Sequence, residues 1–415
     1  MIGIGSGVRV LVAIEPESTD CPCCAGAMHQ IGEDSSSRPD KIPAQFRVLV
    51  TRRPKYACRA CEDQVVQAPA PARLVEGGLP TEALVADVLV AKHADHTPIY
   101  RQVQAWARQG VVIDRSVPTG WTGAAAAELT PVWKQMKGEL LAQDLLFVDE
   151  TYAKVLDPGR GCTKTGYFWT LACDQRGWNG PAPPGVVYTY FPTRAQTACR
   201  QLLDGYEGLI QVDGYAAYKA IAKERPSELA LAHCWSHARR AFFDLQDEGP
   251  VAKEMLRRIS SLYAIEARIR GSSAAERLAV RTEHSRPLVD DLHAWAHQAL
   301  EGLWPKARTA EALRYMFNHW DGLTRFLDDG RIELDTNPVE RAMRPIALSR
   351  KNSLFAGSDG GAENWAVIAS LIESCKLNDV NPHAYLSDVL TKLVNLWPNS
   401  RVAELTPWAW AAQNR

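Results

Sequence analysis

Apolar positions along this chain follow two periods. Between residues 145 and 215 the pattern is that of strands. Leu145–Thr151 reads LLFVDET, in which four apolar residues run into Asp149. Leu209–Tyr215 reads LIQVDGY and carries Asp213 in the equivalent place. Short apolar runs of this kind, bounded by turn residues such as Gly159-Arg160-Gly161, fit buried strands that end at an acid. Gly166–Cys173 (GYFWTLAC) and Gly185–Phe191 (GVVYTYF) are rich in β-branched and aromatic residues and read as strands as well. Thr193 is placed to cap a helix through Arg200 and Leu203. The order is three strands, a helix, then the strand with the second acid.

On either side the period changes to that of helices. Thr81 is an N-cap ahead of Leu84, Val85, Val88 and Leu89. Thr97 followed by Pro98 predicts a second helix start, with Ile99, Val103 and Trp106 on one face and a stop near Gly110. Ser116 with Pro118 predicts a third. A longer stretch over 124–143 is expected to bend or restart at Pro131. Short helices joined by short turns over 79–143 suit a helix-turn-helix-like DNA-binding segment. Residues 244–330 read as all-helical, from stripes such as Met255, Ile259, Leu262 and Ile269.

Composition narrows the class. The chain has 415 residues, 46% hydrophobic and 23% charged, with a formal net charge of −1. It is long enough for two or three domains of an ordinary globular protein. Overall charge excludes a uniformly basic nucleic-acid binder, so DNA contacts must come from patches. One spans 38–59 and includes Arg52, Arg53 and Lys55; another spans 341–351 with Arg341, Arg344, Arg350 and Lys351 and no acid. No apolar run reaches a membrane span, and the N-terminus lacks the features of a secretory signal. Reduced cysteines in a cytoplasm are therefore expected.

Two C-x-x-C pairs, Cys21/Cys24 and Cys58/Cys61, have the makeup of a closed four-thiolate zinc site. Cys23 is adjacent and competes with Cys21 or Cys24 as a ligand. The spacer is expected to contain a strand over 44–51 (AQFRVLVT), as in a zinc ribbon over 21–66. Residues 67–78 read as a linker.

Carboxylates at the ends of neighbouring strands repel unless a cation lies between them. Asp149 and Asp213 thus predict a divalent-metal site for phosphoryl transfer. The strand order is that of a ribonuclease H-like fold, which needs a third acid on a later helix. The segment 335–361, DTNPVERAMRPIALSRKNSLFAGSDGG, supplies one. Asn337 is the expected N-cap, Pro338 the first helical residue, and Glu340 lies in the first turn with Arg341 and Arg344 beside it. Leu231–Phe243 (LAHCWSHARRAFF) holds a C-x-x-H unit, Cys234 and His237, that could bind metal, orient a helix or contact DNA. With no second ligand pair nearby, packing is the expectation. Arg239 and Arg240 are positioned to reach phosphate.

With these motifs in order, the chain resembles the transposases of the insertion sequence 66 family. The resemblance runs from about Cys21 to Trp410 and rests on CPCC…CRAC, ADHTPIYRQ, VDET, KTGYFW, QVDGYAAY, HCWSHARRAF, NPVERAMRP–LSRKNSLFAGSDGG and LTPWAW. It implies a DDE transposase with Asp149, Asp213 and Glu340 holding two Mg²⁺ or Mn²⁺ ions, and a structural Zn²⁺ at the knuckles. It implies a catalytic core over 144–362 with a helical insertion at about 244–330, and a small C-terminal domain over 366–410. DNA, both transposon ends and target, is the implied partner, bound by a homo-oligomer in the bacterial cytoplasm at the nucleoid, with other proteins of the same element as further partners. Two departures stand out. Family members usually carry a long coiled-coil region before the knuckles, where this chain has a remnant of twenty residues before Cys21. Pro118 sits where the family pattern usually has a helix-friendly residue.

Overall fold

The structure, a computed structural model, describes residues 18–32, 34, 45–59, 65–157 and 159–414. It divides into a unit spanning Met1–Arg52 and a unit spanning Arg53–Arg415. In the first, Asp20 and Ala27 form an isolated bridge around a tight turn. Cys21 N–H donates to the Gly26 carbonyl and Ala25 N–H to the Cys21 carbonyl, each at 2.8 Å. The strand expected over 44–51 is absent among the described residues 45–51. Val48, Leu49 and Val50 are exposed there, and no strand pairs with them.

The second unit opens with a two-stranded antiparallel ribbon, β1 (Lys55–Ala57) and β2 (Val65–Gln67). The Arg53 Nε–H donates to the Ala68 carbonyl at 2.9 Å, and the Gln67 amide to the Arg53 carbonyl at 2.9 Å, which closes the ribbon's base.

Next come α1 (Glu82–His93), α2 (Ile99–Ala107) and α3 (Ser116–Leu141). Thr81 caps α1 as expected, accepting from the Leu84 N–H at 3.2 Å. The cap of α2 is Pro98 rather than Thr97, one residue later than predicted. The third helix start and the stretch over 124–143 belong to one helix: of the bend or restart expected at Pro131, the restart does not occur, since α3 runs through it. Its buried stripe of Ala125, Leu129, Val132, Met136 and Leu140 packs on the core, and that burial outweighs the one hydrogen bond Pro131 removes.

The central sheet follows: β3 (Leu145–Asp157), β4 (Cys162–Cys173), β5 (Gly185–Phe191), α4 (Gln196–Leu202), β6 (Gly208–Val212), α5 (Ala216–Glu224), β7 (Leu229–His233) and α6 (Trp235–Phe243). The strand order is β5-β4-β3-β6-β7. β3, β4 and β5 are antiparallel neighbours, while β6 and β7 run parallel to β3. β3 is longer than predicted, so Asp149 lies within it rather than at its end. Thr193 accepts from the Ala195 N–H at 3.1 Å without capping α4.

Side-chain alternation gives the sheet two apolar faces. Leu146 and Val148 join one core with α1, α3, α4, α5 and the later helix Pro382–Val394; Leu145 and Phe147 join another with α6 and the helices that follow. α1 and α3 are thus built into the core beside the sheet.

The helical segment comprises α7 (Pro250–Ile269), α8 (Ala274–Val280), α9 (Arg286–Glu301), α10 (Arg308–Phe317) and α11 (Trp320–Thr324), with a π-helical turn at Arg281–Ser285 between α8 and α9. α12 (Asn337–Asn352), α13 (Asp359–Leu377), α14 (Pro382–Val394) and α15 (Pro407–Gln413) complete the chain. α13 covers the outer edge of β5: the Val186 and Tyr188 N–H groups donate to Ser374 Oγ at 3.0 Å and Ser370 Oγ at 2.8 Å. An edge satisfied in this way cannot recruit a foreign strand. Among the described residues, no helix is long and apolar enough to cross a membrane.

Candidate active site

Register places the first two acids. The parallel ladder of β3 with β6 ends at Phe147↔Gln211. Two residues beyond this pair stand Asp149, still within β3, and Asp213, just past the end of β6. β6 stops at Val212, while β3 continues to Asp157 supported by β4 on its other side. The sheet therefore opens beside Asp149. Asp213 Oδ1 accepts the Tyr215 N–H at 2.8 Å, and Asp149 Oδ1 accepts the Glu150 N–H at 2.7 Å.

The third acid arrives on α12, which packs across β3 and β4. Thr336, not Asn337, is the N-cap, so the helix starts one residue early and Pro338 is its second residue. The Asp335 carboxylate accepts the Asn337 N–H at 3.0 Å and its side-chain amide at 2.6 Å, which closes the turn into the helix. Glu340 is half-buried in the first turn.

Electrostatics couples the three acids. Burial, together with the negative charges of Asp213, Glu150 and Glu340, pushes the Asp149 carboxyl up to about 8, against the lowering effect of the Glu150 N–H. No basic side chain forms an ion pair with Asp149 or Asp213 among the described residues. A buried carboxylate surrounded by acids and lacking a cation is unfavourable as it stands, and a hard divalent cation among these oxygens relieves it. Carboxylate oxygens are the donor type such an ion takes, although among the described residues the three acids do not form a group of donor atoms all within 4.8 Å of one another.

Nearby acids have local partners. Glu150 points away from Asp149, as strand alternation requires. It is held by the Tyr218 hydroxyl at 2.6 Å and by the Arg194 guanidinium at 2.5 Å. Burial still raises its carboxyl, against the effect of Tyr218 and Arg194. Asp359 pairs with Lys164 and the Tyr190 hydroxyl, each at 2.6 Å. Arg194 and Tyr218 escaped the sequence reading, since nothing in the linear pattern connects them to Glu150.

The basic residues are scattered around this centre. Arg341, Arg344 and Lys351 are exposed on α12. The Arg350 guanidinium lies 4.2 Å from the ring centre of Tyr152 on β3 and donates to its carbonyl. On α6, Arg240 is exposed and Arg239 lies over Phe243 at 5.5 Å. Lys55 is exposed on β1, Arg53 is engaged with Ala68, and Arg52 is exposed in the first unit.

Of the knuckle cysteines, Cys21 and Cys24 lie in the tight turn of the first unit, Cys58 follows β1, and Cys61 lies outside the described residues. The backbone N–H groups of Cys23 and Cys24 point at the Cys21 sulfur and hold its thiol below the usual range. Backbone N–H donation to a thiolate favours metal-binding cysteines, so this turn fits zinc.

Comparison with known proteins identifies the whole. Residues 77–364 match the model described as Transposase IS66 family, which covers the sheet, the helical segment and all three acids. The chain belongs to the IS66 family of transposases. Residues 370–408 match the IS66 C-terminal element, and residues 18–62 match the zinc-finger binding domain of IS66 transposases, so the knuckle segment is the family's zinc-binding domain. Among its IS66 relatives are uncharacterized proteins of Sinorhizobium fredii (strain NBRC 101917 / NGR234). Protein y4jD is 44% identical over 411 residues, which is 97% of this chain and 80% of that protein. Protein y4qI is 42% identical over 407 residues, or 96% of this chain and 75% of that one. Protein y4hP is 37% identical over 419 residues, with 97% and 75% covered.

Proposed function

We propose that this IS66 family chain has a ribonuclease H-like core. It cleaves DNA at the ends of an insertion sequence and joins the freed 3′ hydroxyl to target DNA, with Asp149, Asp213 and Glu340 as its acids. What supports this reading is that Asp149 and Asp213 each follow the last paired residues of the parallel β3–β6 ladder by two positions, and that the Asp213 and Glu340 charges both raise the Asp149 carboxyl. Divalent cations such as two Mg²⁺ or Mn²⁺, bound by these acids, supply activation of water and neutralisation of charge on a phosphodiester.

The chain's own residues do the rest. Asp149 is held within β3 by its pairing with Thr170 on β4 and Asp213 by its turn, so the acids are held before substrate arrives. Arg341, Arg344 and Lys351 on α12 bind DNA phosphates near the third acid, and Arg350 lies against Tyr152 for the same purpose. Arg239 and Arg240 extend that path from α6. No side chain needs to form a covalent bond to DNA. Cys21, Cys24, Cys58 and Cys61 hold zinc in the N-terminal domain, where Arg52, Arg53 and Lys55 add DNA contacts. The working form is a homo-oligomer on DNA in a bacterial cytoplasm, acting with other proteins of its element.

The test is a cleavage and strand-transfer assay with purified protein, labelled element ends and Mg²⁺ or Mn²⁺. Metal-dependent nicking at the ends, absent in Asp149→Asn, is the expected result. Binding without nicking in the unaltered protein would instead make it a DNA-binding remnant of a transposase.

A further inference from the structure

The first turns of α6 and α12 face each other, and the pairs of residues they present are spaced to meet. Cys234 is the N-cap of α6 and is buried. Its Sγ accepts the Thr336 N–H at 3.3 Å. Thr336 is the N-cap of α12, and its hydroxyl donates to Glu340 Oε1 at 3.4 Å. His237, three residues beyond Cys234 and therefore on the same side of α6, brings Nδ1 to 3.8 Å from that same oxygen. The Trp235 N–H donates to the Leu334 carbonyl at 3.0 Å, which fixes the two turns against each other. The Cys234, His237 and Glu340 donor atoms all lie within 4.8 Å of one another.

His237 Nδ1 is also buried and makes no hydrogen bond. A buried nitrogen in that condition is unfavourable. A movement of less than about 1 Å brings the Glu340 oxygen into bonding range. Glu340 has three side-chain torsions, and freezing them in solution is unfavourable. A carboxylate with this freedom needs neighbours to orient it.

We propose that Cys234 and His237 are positioning residues for Glu340: Cys234 anchors the cap of α12 through Thr336, and His237 engages one carboxylate oxygen so that the other is turned toward Asp149 and Asp213. This rests on the reading of Glu340 as the third acid. It gives the C-x-x-H unit a role that packing alone does not, because packing does not require an imidazole nitrogen beside a carboxylate.

The test uses the full chain and Mn²⁺ as probe, with binding measured by calorimetry or electron paramagnetic resonance alongside cleavage. His237→Ala is expected to weaken Mn²⁺ binding at the acids by about 10- to 100-fold, the usual effect of removing a residue that orients a metal ligand. It should slow Mg²⁺-dependent cleavage more than Mn²⁺-dependent cleavage, because Mg²⁺ demands stricter geometry. DNA binding should be unchanged. His237→Asn, whose amide nitrogen can take the place of Nδ1, is expected to recover most of the loss. Cys234→Ser, which keeps an acceptor for Thr336, should perform better than Cys234→Ala. Leu262→Ala, a core truncation in α7, controls for a general loss of stability.

The outcomes separate the two readings. If Asp149→Asn and Glu340→Gln abolish Mn²⁺ binding while His237→Ala matches the unaltered protein, the clamp is wrong and the acid assignment stands. If Asp149→Asn binds Mn²⁺ normally, the acid assignment fails and the clamp fails with it. One equivalent of zinc lost in both Cys234→Ala and His237→Ala, yet kept in Cys21→Ser, would make this cluster a metal centre instead.

Discussion

Gln211 and Glu333 exchange two hydrogen bonds: the Gln211 amide donates to the Glu333 carbonyl at 2.9 Å and accepts the Glu333 N–H at 2.8 Å. Gln211 is fully buried on β6, two residues before Asp213, and Glu333 lies seven residues before Glu340. One side chain thus ties the strand of the second acid to the segment that delivers the third. Gln211→Leu removes both bonds and buries two unpaired backbone groups. It should cost about 2–4 kcal/mol, at roughly 1–2 kcal/mol for each. Cleavage should fall more than end-DNA binding does. Denaturant unfolding and a paired cleavage and binding assay check this.

Asp149 makes stability depend on pH when no divalent cation is present. Its folded-state carboxyl titrates at about 8, above its ordinary value near 3.8. A group raised in this way contributes stability that is fully present below its unfolded value and lost as pH rises through its folded one. Cation-free protein should therefore lose stability between about pH 4 and pH 8 on this account. Asp149→Asn should flatten that window and melt higher than the unaltered protein at pH 8. Added Mg²⁺ should raise the melting temperature of the unaltered protein but not that of the variant. Thermal unfolding across pH, with and without Mg²⁺, measures all three effects.

A buried ionic knot holds the helical segment to the approach of α12. Arg281 and Arg277 are fully buried. Arg281 binds Glu266 at 2.7 Å and the Ile332 carbonyl at 2.8 Å, while Arg277 binds Glu333 at 2.8 Å. Removing one partner strands the other charge, so Arg281→Ala should destabilise the fold by roughly 3–5 kcal/mol. Arg281→Met with Glu266→Leu should be far milder. Chemical denaturation of both variants distinguishes a stranded charge from lost packing.

The exposed cations of α12 should act on DNA without reading its sequence. Arg344→Ala and Lys351→Ala should each weaken binding to cognate and unrelated duplexes alike. Each should reduce the salt slope of log affinity by about 1. Binding titrations at several salt concentrations give the slope. A sequence-dependent loss would assign these residues to base contact instead.

Zinc should be bound in the N-terminal domain. Cys21→Ser should lower the zinc content measured by elemental analysis by about one equivalent, as loss of a thiolate from a four-ligand site predicts. An unchanged content would remove Cys21 from the ligand set.

The central strands were legible because their apolar runs are uninterrupted: β5 spans the predicted residues, and β4 begins only four residues earlier than expected. β7 was missed, since LALAH gives no clear alternation and was absorbed into the C-x-x-H reading. Of the bend or restart expected at Pro131, the restart did not occur, because burial of one helix face exceeded the local penalty. The expected strand over 44–51 failed for the converse reason: its residues alternate well but find no partner among the described residues.

Sequence alone determined the family, and it singled out the candidate acids and cysteines, since acids ending apolar runs and paired cysteines are local patterns with few structural explanations. Only the tertiary structure decided how those residues meet. That β6 stops where β3 continues, that Gln211 ties Glu333 to the second acid's strand, and that His237 faces Glu340 all depend on contacts between segments far apart in the chain. Local propensity does not encode such contacts; they follow from which faces bury together and which polar groups must then be satisfied.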